Sequence, residues 1–131
     1  MDKIKKSETE WKKLLDEKTY NITRNSGTEP PFTGKYLNEK SKGIYNCVCC
    51  DNELFSSNTK FDSGTGWPSF YEVINNENVL KITDSSHGMN RIEVLCFKCD
   101  AHLGHVFDDG PQPTGQRYCI NSLSLKLEEI E

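Results

Sequence analysis

The chain has 131 residues, a net charge of −4 at pH 7 and a pI near 5.4; 34% of it is hydrophobic, its mean hydropathy is −0.70, and it holds six cysteines. That length suits one core, so a single domain over residues 1–131 is expected. The acidic balance argues against nucleic acid as a partner, and no apolar run approaches the roughly 18 residues of a membrane span.

The N-terminus, Met1-Asp-Lys-Ile-Lys-Lys, lacks the apolar stretch of a secretory signal, so the expected location is cytoplasmic. In a reducing compartment a disulfide framework is disfavoured, and the cysteines are expected to bind metal or do chemistry. A lean core points the same way, toward a staple. Residues 1–17 predict one amphipathic helix, the main part of an N-terminal element (1–19) that packs on the rest. Ser7 and Glu10 form a capping box, and Trp11, Leu14 and Leu15 make one apolar stripe. From Tyr20 to Tyr36 the breakers Gly27, Pro30, Pro31 and Gly34 predict an ordered loop, pinned to the core by Phe32 and Tyr36. From Gly43 onward, strand-length runs alternate with turn residues: Ile44-Tyr45, Leu54-Phe55, Val79 to Ile82, Ile92 to Leu95 and Tyr118 to Leu127. The expected class is mainly β, mostly antiparallel, with one N-terminal helix.

One internal repeat stands out. Cys47 to Leu54 and Cys96 to Leu103 both read C-x-x-C-D-x-x-L. A C-x-x-C turn sets two thiolates on one side of a tight loop, and two such turns complete a tetrahedral Cys₄ zinc site from Cys47, Cys50, Cys96 and Cys99. A closed Cys₄ set leaves no open position, so the zinc is expected to be structural. Cys47 with Cys49 is formally another pair, and Cys96, Cys99, His102 and His105 form a rival Cys₂His₂ set; the repeat favours the four-cysteine reading.

Cys49 and Cys119 remain. With period two, Arg117, Cys119 and Asn121 share a face with Leu123, Leu125 and Leu127. A thiol between a guanidinium and a carboxamide is an odd choice for a purely structural strand, and a neighbouring cation favours the nucleophilic form of a thiol. His102 and His105 offer acid–base partners, and Ser63-Gly-Thr-Gly-Trp-Pro68 reads as a shaped turn presenting Trp67.

Taken in order, these segments resemble the methionine-R-sulfoxide reductases, the MsrB family. The matching residues are Gly27 to Gly34 with Tyr36, the two C-x-x-C pairs, and Lys60 to Phe70. They continue through Ser86-His-Gly-Met89 with Arg91 and Glu93, His102 to Pro111, and Pro113 to Ser122. The resemblance implies two antiparallel sheets around a zinc-stapled core, and reduction of methionine-R-sulfoxide in proteins or peptides. It implies Cys119 as nucleophile, Trp67 as the aromatic on the substrate methyl group, and His105 as the donor to the sulfoxide oxygen. His102, Asn121, Arg117 and Asp109 are implied to shape the site, with Asn121 beside the catalytic pair; His87 and Glu93 follow as weaker matches.

The chain departs from a common family pattern at Thr65, where many members carry a recycling cysteine. An external thiol, thioredoxin or a small molecule, is therefore the expected reductant, with Cys49 as a formal substitute. Action as a monomer is expected. A non-catalytic zinc-ribbon-like binding module fits the paired C-x-x-C alone, but leaves Cys119, Arg117, His105 and Trp67 without a job. A non-reducing ligand binder and a Cys–His hydrolase fit less well still.

Overall fold

The computed structural model describes residues 2–130, the side chain of His87 excepted, so the expected contribution of His87 lies outside what it describes. The N-terminal stretch is two helices, not one: α1 (Glu8–Leu14) and α2 (Glu17–Arg24). The Ser7/Glu10 capping box is present, with Ser7 Oγ accepting from the Glu10 amide at 3.2 Å. Asp16 breaks the run, because its carboxylate caps a new helix by accepting from the Thr19 amide at 2.8 Å. Thus α2 takes up Tyr20 to Arg24, which the breaker pattern assigned to a loop. Tyr36 is buried as expected, whereas Phe32 is 70% exposed and does not anchor the loop. None of the described helices is long and apolar enough to cross a membrane.

The β strands follow as β1 (Gly43–Cys47), β2 (Glu53–Ser56), β3 (Lys60–Phe61), β4 (Ser69–Phe70), β5 (Val79–Asp84), β6 (Arg91–Cys96), β7 (His102–Phe107), β8 (Arg117–Ile120) and β9 (Leu125–Glu129). They form two antiparallel sheets, one ordered β2-β1-β9 and the other β3-β4-β8-β7-β6-β5. An aromatic stack joins the sheets. Phe55 lies on Phe70 with ring centroids 4.4 Å apart, while Tyr45 and Tyr118 close on it edge-on at 5.2 and 5.6 Å. All four side chains are buried, and each such pair adds about 0.5–1.5 kcal/mol beyond its buried area.

The run from Tyr118 to Leu127 is two strands rather than one. A 3-10 turn over Ser122–Ser124 separates β8 from β9 and carries the chain from the large sheet to the small one. The turn is held from outside: Ser122 Oγ accepts from the Tyr36 amide at 3.2 Å, and Ser124 Oγ donates to the His102 carbonyl at 2.9 Å. The period-two face that placed Cys119 with Leu123, Leu125 and Leu127 is therefore broken. Within β8 it is Tyr118 and Ile120 that enter the core, leaving Arg117 and Cys119 half-buried on the opposite face.

Candidate active site and cysteine cluster

The two repeats fold alike. In each, a strand ends at the first cysteine, whose carbonyl accepts from the amide of the following aspartate: Asp51 to Cys47 at 2.9 Å, Asp100 to Cys96 at 2.8 Å. Asp51 and Asp100 take the same left-handed backbone, φ 64° and 63°. Aspartate tolerates that region better than most L residues. The final leucine of each repeat is an extra residue in its strand. Leu54 bulges from β2 between the pairs Tyr45–Phe55 and Asn46–Glu53, and Leu103 bulges from β7 between Val94–Gly104 and Leu95–His102. Both leucines are fully buried.

The two turns meet. The ligand atoms of Cys47, Cys50, Cys96 and Cys99 all lie within 4.8 Å of one another, with Cys47–Cys99 and Cys50–Cys96 sulfurs 3.6 Å apart. Four converging thiols with no carboxylate or imidazole among them fit a tetrahedral structural metal. The rival Cys₂His₂ set is not assembled, because His102 and His105 turn to carboxylates instead. Arg24 closes the cluster from outside: its Nη2 donates to the Cys99 carbonyl at 2.6 Å, and its guanidinium lies 4.4 Å over the Trp11 ring.

The second bulge has a further consequence. His102 and His105 are three residues apart, so an unbroken strand would put them on opposite faces. The extra residue Leu103 brings both to one face, where their rings lie 5.5 Å apart. His102 Nδ1 is 2.7 Å from Glu93 Oε2, and His105 Nε2 is 2.8 Å from Asp84 Oδ2. Burial pushes the His102 imidazole below its usual value, against the pull of Glu93. Asp84 is held below the carboxylate range by Ser86 and by His105, and it also pairs with Arg91 at 3.3 Å.

Cross-strand pairing sets His105 directly beside Cys119, and Cys119 beside Ser69. Gly104 permits this: a Cβ there would lie 2.0 Å from the Cys119 carbonyl oxygen. Arg117 Nη1 donates to Cys119 Sγ at 2.8 Å. The same guanidinium is clamped by Asp109, through Nε at 2.8 Å and Nη2 at 3.1 Å, and this pairing lifts it above its usual value. Phe107 carries its flat face at 4.3 Å. A guanidinium fixed in this way stabilises negative charge on the sulfur. Thr65 Oγ1 and Ser69 Oγ complete the surroundings at 3.5 and 3.7 Å from Sγ.

Trp67 walls the same cleft, together with Cys119, His105, Arg117, Phe107 and Thr28, around a space of about 130 Å³. Its Nε1 donates to the Glu29 carbonyl at 2.9 Å. Asn121 also lines the cleft, but its amide braces backbone: Oδ1 accepts from the Glu29 amide at 3.1 Å and Nδ2 donates to the Leu103 carbonyl at 3.2 Å. Of the side chains expected at the site, Cys119, Trp67, His105, Arg117 and Asn121 line this cleft, Asp109 reaches it only through Arg117, and His102 with Glu93 sits beside His105. Sequence reasoning missed Asp84 and Glu29. Asp84 was legible only through the hairpin register that pairs it with Arg91, and Glu29 only through its burial, 2% exposed with Oε1 accepting from the Leu123 amide. Cys49 is elsewhere: it packs against the core from the first cysteine turn, away from the Thr65, Ser69 and Arg117 that surround Cys119.

The SelR domain family matches residues 15–129. The chain is 61% identical over 127 residues to the peptide methionine sulfoxide reductase MsrB of Pseudomonas syringae pv. syringae (strain B728a), covering 97% of both chains. It is 56% identical over 131 residues to the protein of that name from Hahella chejuensis (strain KCTC 2396), covering 100% of this chain and 94% of the relative. Against the one from Acinetobacter baylyi (strain ATCC 33305 / BD413 / ADP1) the identity is 58% over 131 residues, with the same coverage. Matched over residues 15–129 by the family model and almost end to end by these relatives, the chain belongs to the MsrB family.

Proposed function

We propose that this chain is a peptide-methionine (R)-S-oxide reductase, a single catalytic domain acting as a monomer in the cytoplasm. The observation that carries the reading is the 2.8 Å hydrogen bond from Arg117 to Cys119 inside a cleft walled by Trp67 and His105. A sulfoxide has S⁺–O⁻ character, so its sulfur is electrophilic and its oxygen accepts protons. Cys119 attacks the sulfur while His105, oriented by Asp84, donates to the oxygen. The sulfoxide sulfur gains the two electrons that Cys119 loses, and the oxygen passes to Cys119. Thiol plus sulfoxide thus becomes sulfenic acid plus thioether. Trp67 holds the methyl group by dispersion and selects the epimer by shape. Asn121 seats the Glu29 segment, whose carbonyl accepts from Trp67, against β7; His102 backs His105, and Asp109 holds Arg117.

Cys47, Cys50, Cys96 and Cys99 would hold one zinc ion, which supplies folding energy and no open coordination position. Recycling consumes two equivalents of an external thiol, thioredoxin or a small molecule, giving a disulfide and water. Thr65 occupies the position from which a recycling thiol would reach Cys119, and the surroundings of Cys49 support no substitute role.

Dithiothreitol-driven turnover of each methionine sulfoxide epimer tests the activity: the R epimer is reduced and the S epimer is not. Equal turnover of both, or of neither, overturns it. Mass spectrometry after oxidation by substrate, without reductant, tests recycling. A trappable Cys119 sulfenic acid is expected, and a Cys49–Cys119 disulfide would sink the external-thiol reading.

A further inference from the structure

A second groove borders the reactive cleft, and Thr28 lines both. The reactive cleft, at about 130 Å³, holds little beyond one side chain, whereas the groove offers about 550 Å³. Its apolar part is supplied by Ile22 of α2, Pro30 and Leu123, and its charge by Lys18 and Lys35. Neither lysine forms an ion pair among the described residues. Asp16 caps α2 through the Thr19 amide, and both lysines lie close enough for their charge to help that bond lower its carboxyl, so the rim sets two cations against one exposed carboxylate. The groove's own acid, Glu29, is 2% exposed and turned inward to the Leu123 amide. In a chain of net charge −4, this rim is locally cationic.

We propose that the groove holds the peptide residues flanking the oxidised methionine and selects substrates with an acidic side chain beside it. This rests on the reductase reading above. A peptide whose sulfoxide side chain fills the cleft must lay its neighbours on the adjoining surface, and Thr28, which lines both spaces, makes this groove the neighbouring one. Apolar contacts along Ile22, Pro30 and Leu123 accept any peptide; Lys18 and Lys35 distinguish charge.

The test compares free methionine-R-sulfoxide with short R-sulfoxide peptides flanked by Glu, Gln or Lys, driven by dithiothreitol and, in parallel, by thioredoxin. Wild type prefers the Glu peptide. The K18E/K35E double variant lowers kcat/KM on that peptide by about three- to tenfold, the size expected of two exposed ion pairs. The free amino acid changes less than about twofold, because it does not reach the rim. K18Q/K35Q gives a smaller loss of the same kind. Equal losses on Glu and Gln peptides, or none, overturn the groove assignment while leaving the reductase reading intact. A loss seen only in thioredoxin-driven turnover also overturns it and hands the groove to the protein reductant. Wild type inactive on all substrates overturns the reductase reading itself.

Discussion

The two C-x-x-C-D-x-x-L repeats share their turn, their left-handed aspartate and their bulged leucine, yet only the second feeds the reactive cleft. The arm of the first copy is β2, the edge of the three-stranded sheet, and its next residue is Phe55, which stacks on Phe70 in the core. The arm of the second copy is β7, with strands on both sides, and the matching residue is Gly104, which lets the Cys119 backbone come close. Where the first copy has the exposed Glu53, the second has the buried His102. One local structure thus serves two ends. At a sheet edge it only staples, and in a central strand its bulge also aligns two histidines beside a thiol.

Replacing Cys119 by Ser breaks this division most sharply. R-sulfoxide reduction falls by at least about a thousandfold, as expected when a nucleophile is removed, while metal content and unfolding midpoint stay unchanged. Cys96→Ser does the reverse. Metal is lost, and urea unfolding shows a deficit of at least about 3 kcal/mol, since the cluster ties β1 to β6. Equal metal content in wild type and variant would remove the staple.

Gly104→Ala separates the two arms further. Its Cβ meets the Cys119 carbonyl, so stability drops by about 1–3 kcal/mol and activity falls with it, because β7 and β8 must part. A variant with native Tm and full turnover would show that the close approach is unneeded.

Asp84→Asn tests how the second arm is used. With His105 no longer held by a carboxylate, kcat is expected to fall about ten- to a hundredfold with little change in KM. The pH dependence has a definite sign. Ser86 and His105 hold Asp84 below its ordinary value of 3.8, so the folded state binds that proton less readily than the unfolded one. Its contribution to stability is present above the ordinary value and is lost as pH falls through the lower folded one. Wild type should lose stability more steeply than D84N between about pH 4 and pH 2, and parallel curves would contradict the assignment.

The smallest effect concerns the shared turn. Asp51→Gly and Asp100→Gly each relieve a left-handed backbone and each remove an exposed ion pair, to Lys126 and Lys3 respectively. Both should shift stability by less than about 1 kcal/mol and by similar amounts. A large difference between them would end the equivalence of the two copies.

Much of this was legible in the chain itself. Capping chemistry located the start of α1, C-x-x-C spacing located the four cysteines that cluster, and the company of Arg117 singled out Cys119. Local rules suffice for these because caps, turns and neighbouring residues act within a few positions. The same rules misjudged the second helix start at Asp16 and read Tyr118 to Leu127 as one strand. The strand reading failed because the turn at Ser122 is held by Tyr36 and His102, partners from remote parts of the sequence. His102 and His105 were candidates for acid–base partners, but their common face required a bulge that no periodicity announces. Asp84 and Glu29 were invisible for the same reason, since a carboxylate acquires its role from what the sheet sets against it. Residue types and local turns at the cleft and the cysteine cluster were readable along the chain, because these depend on backbone preference and short spacing. Which of them meet emerged only on folding, because strand register, the bulge and the crossing at Ser122–Ser124 are settled by packing between distant segments.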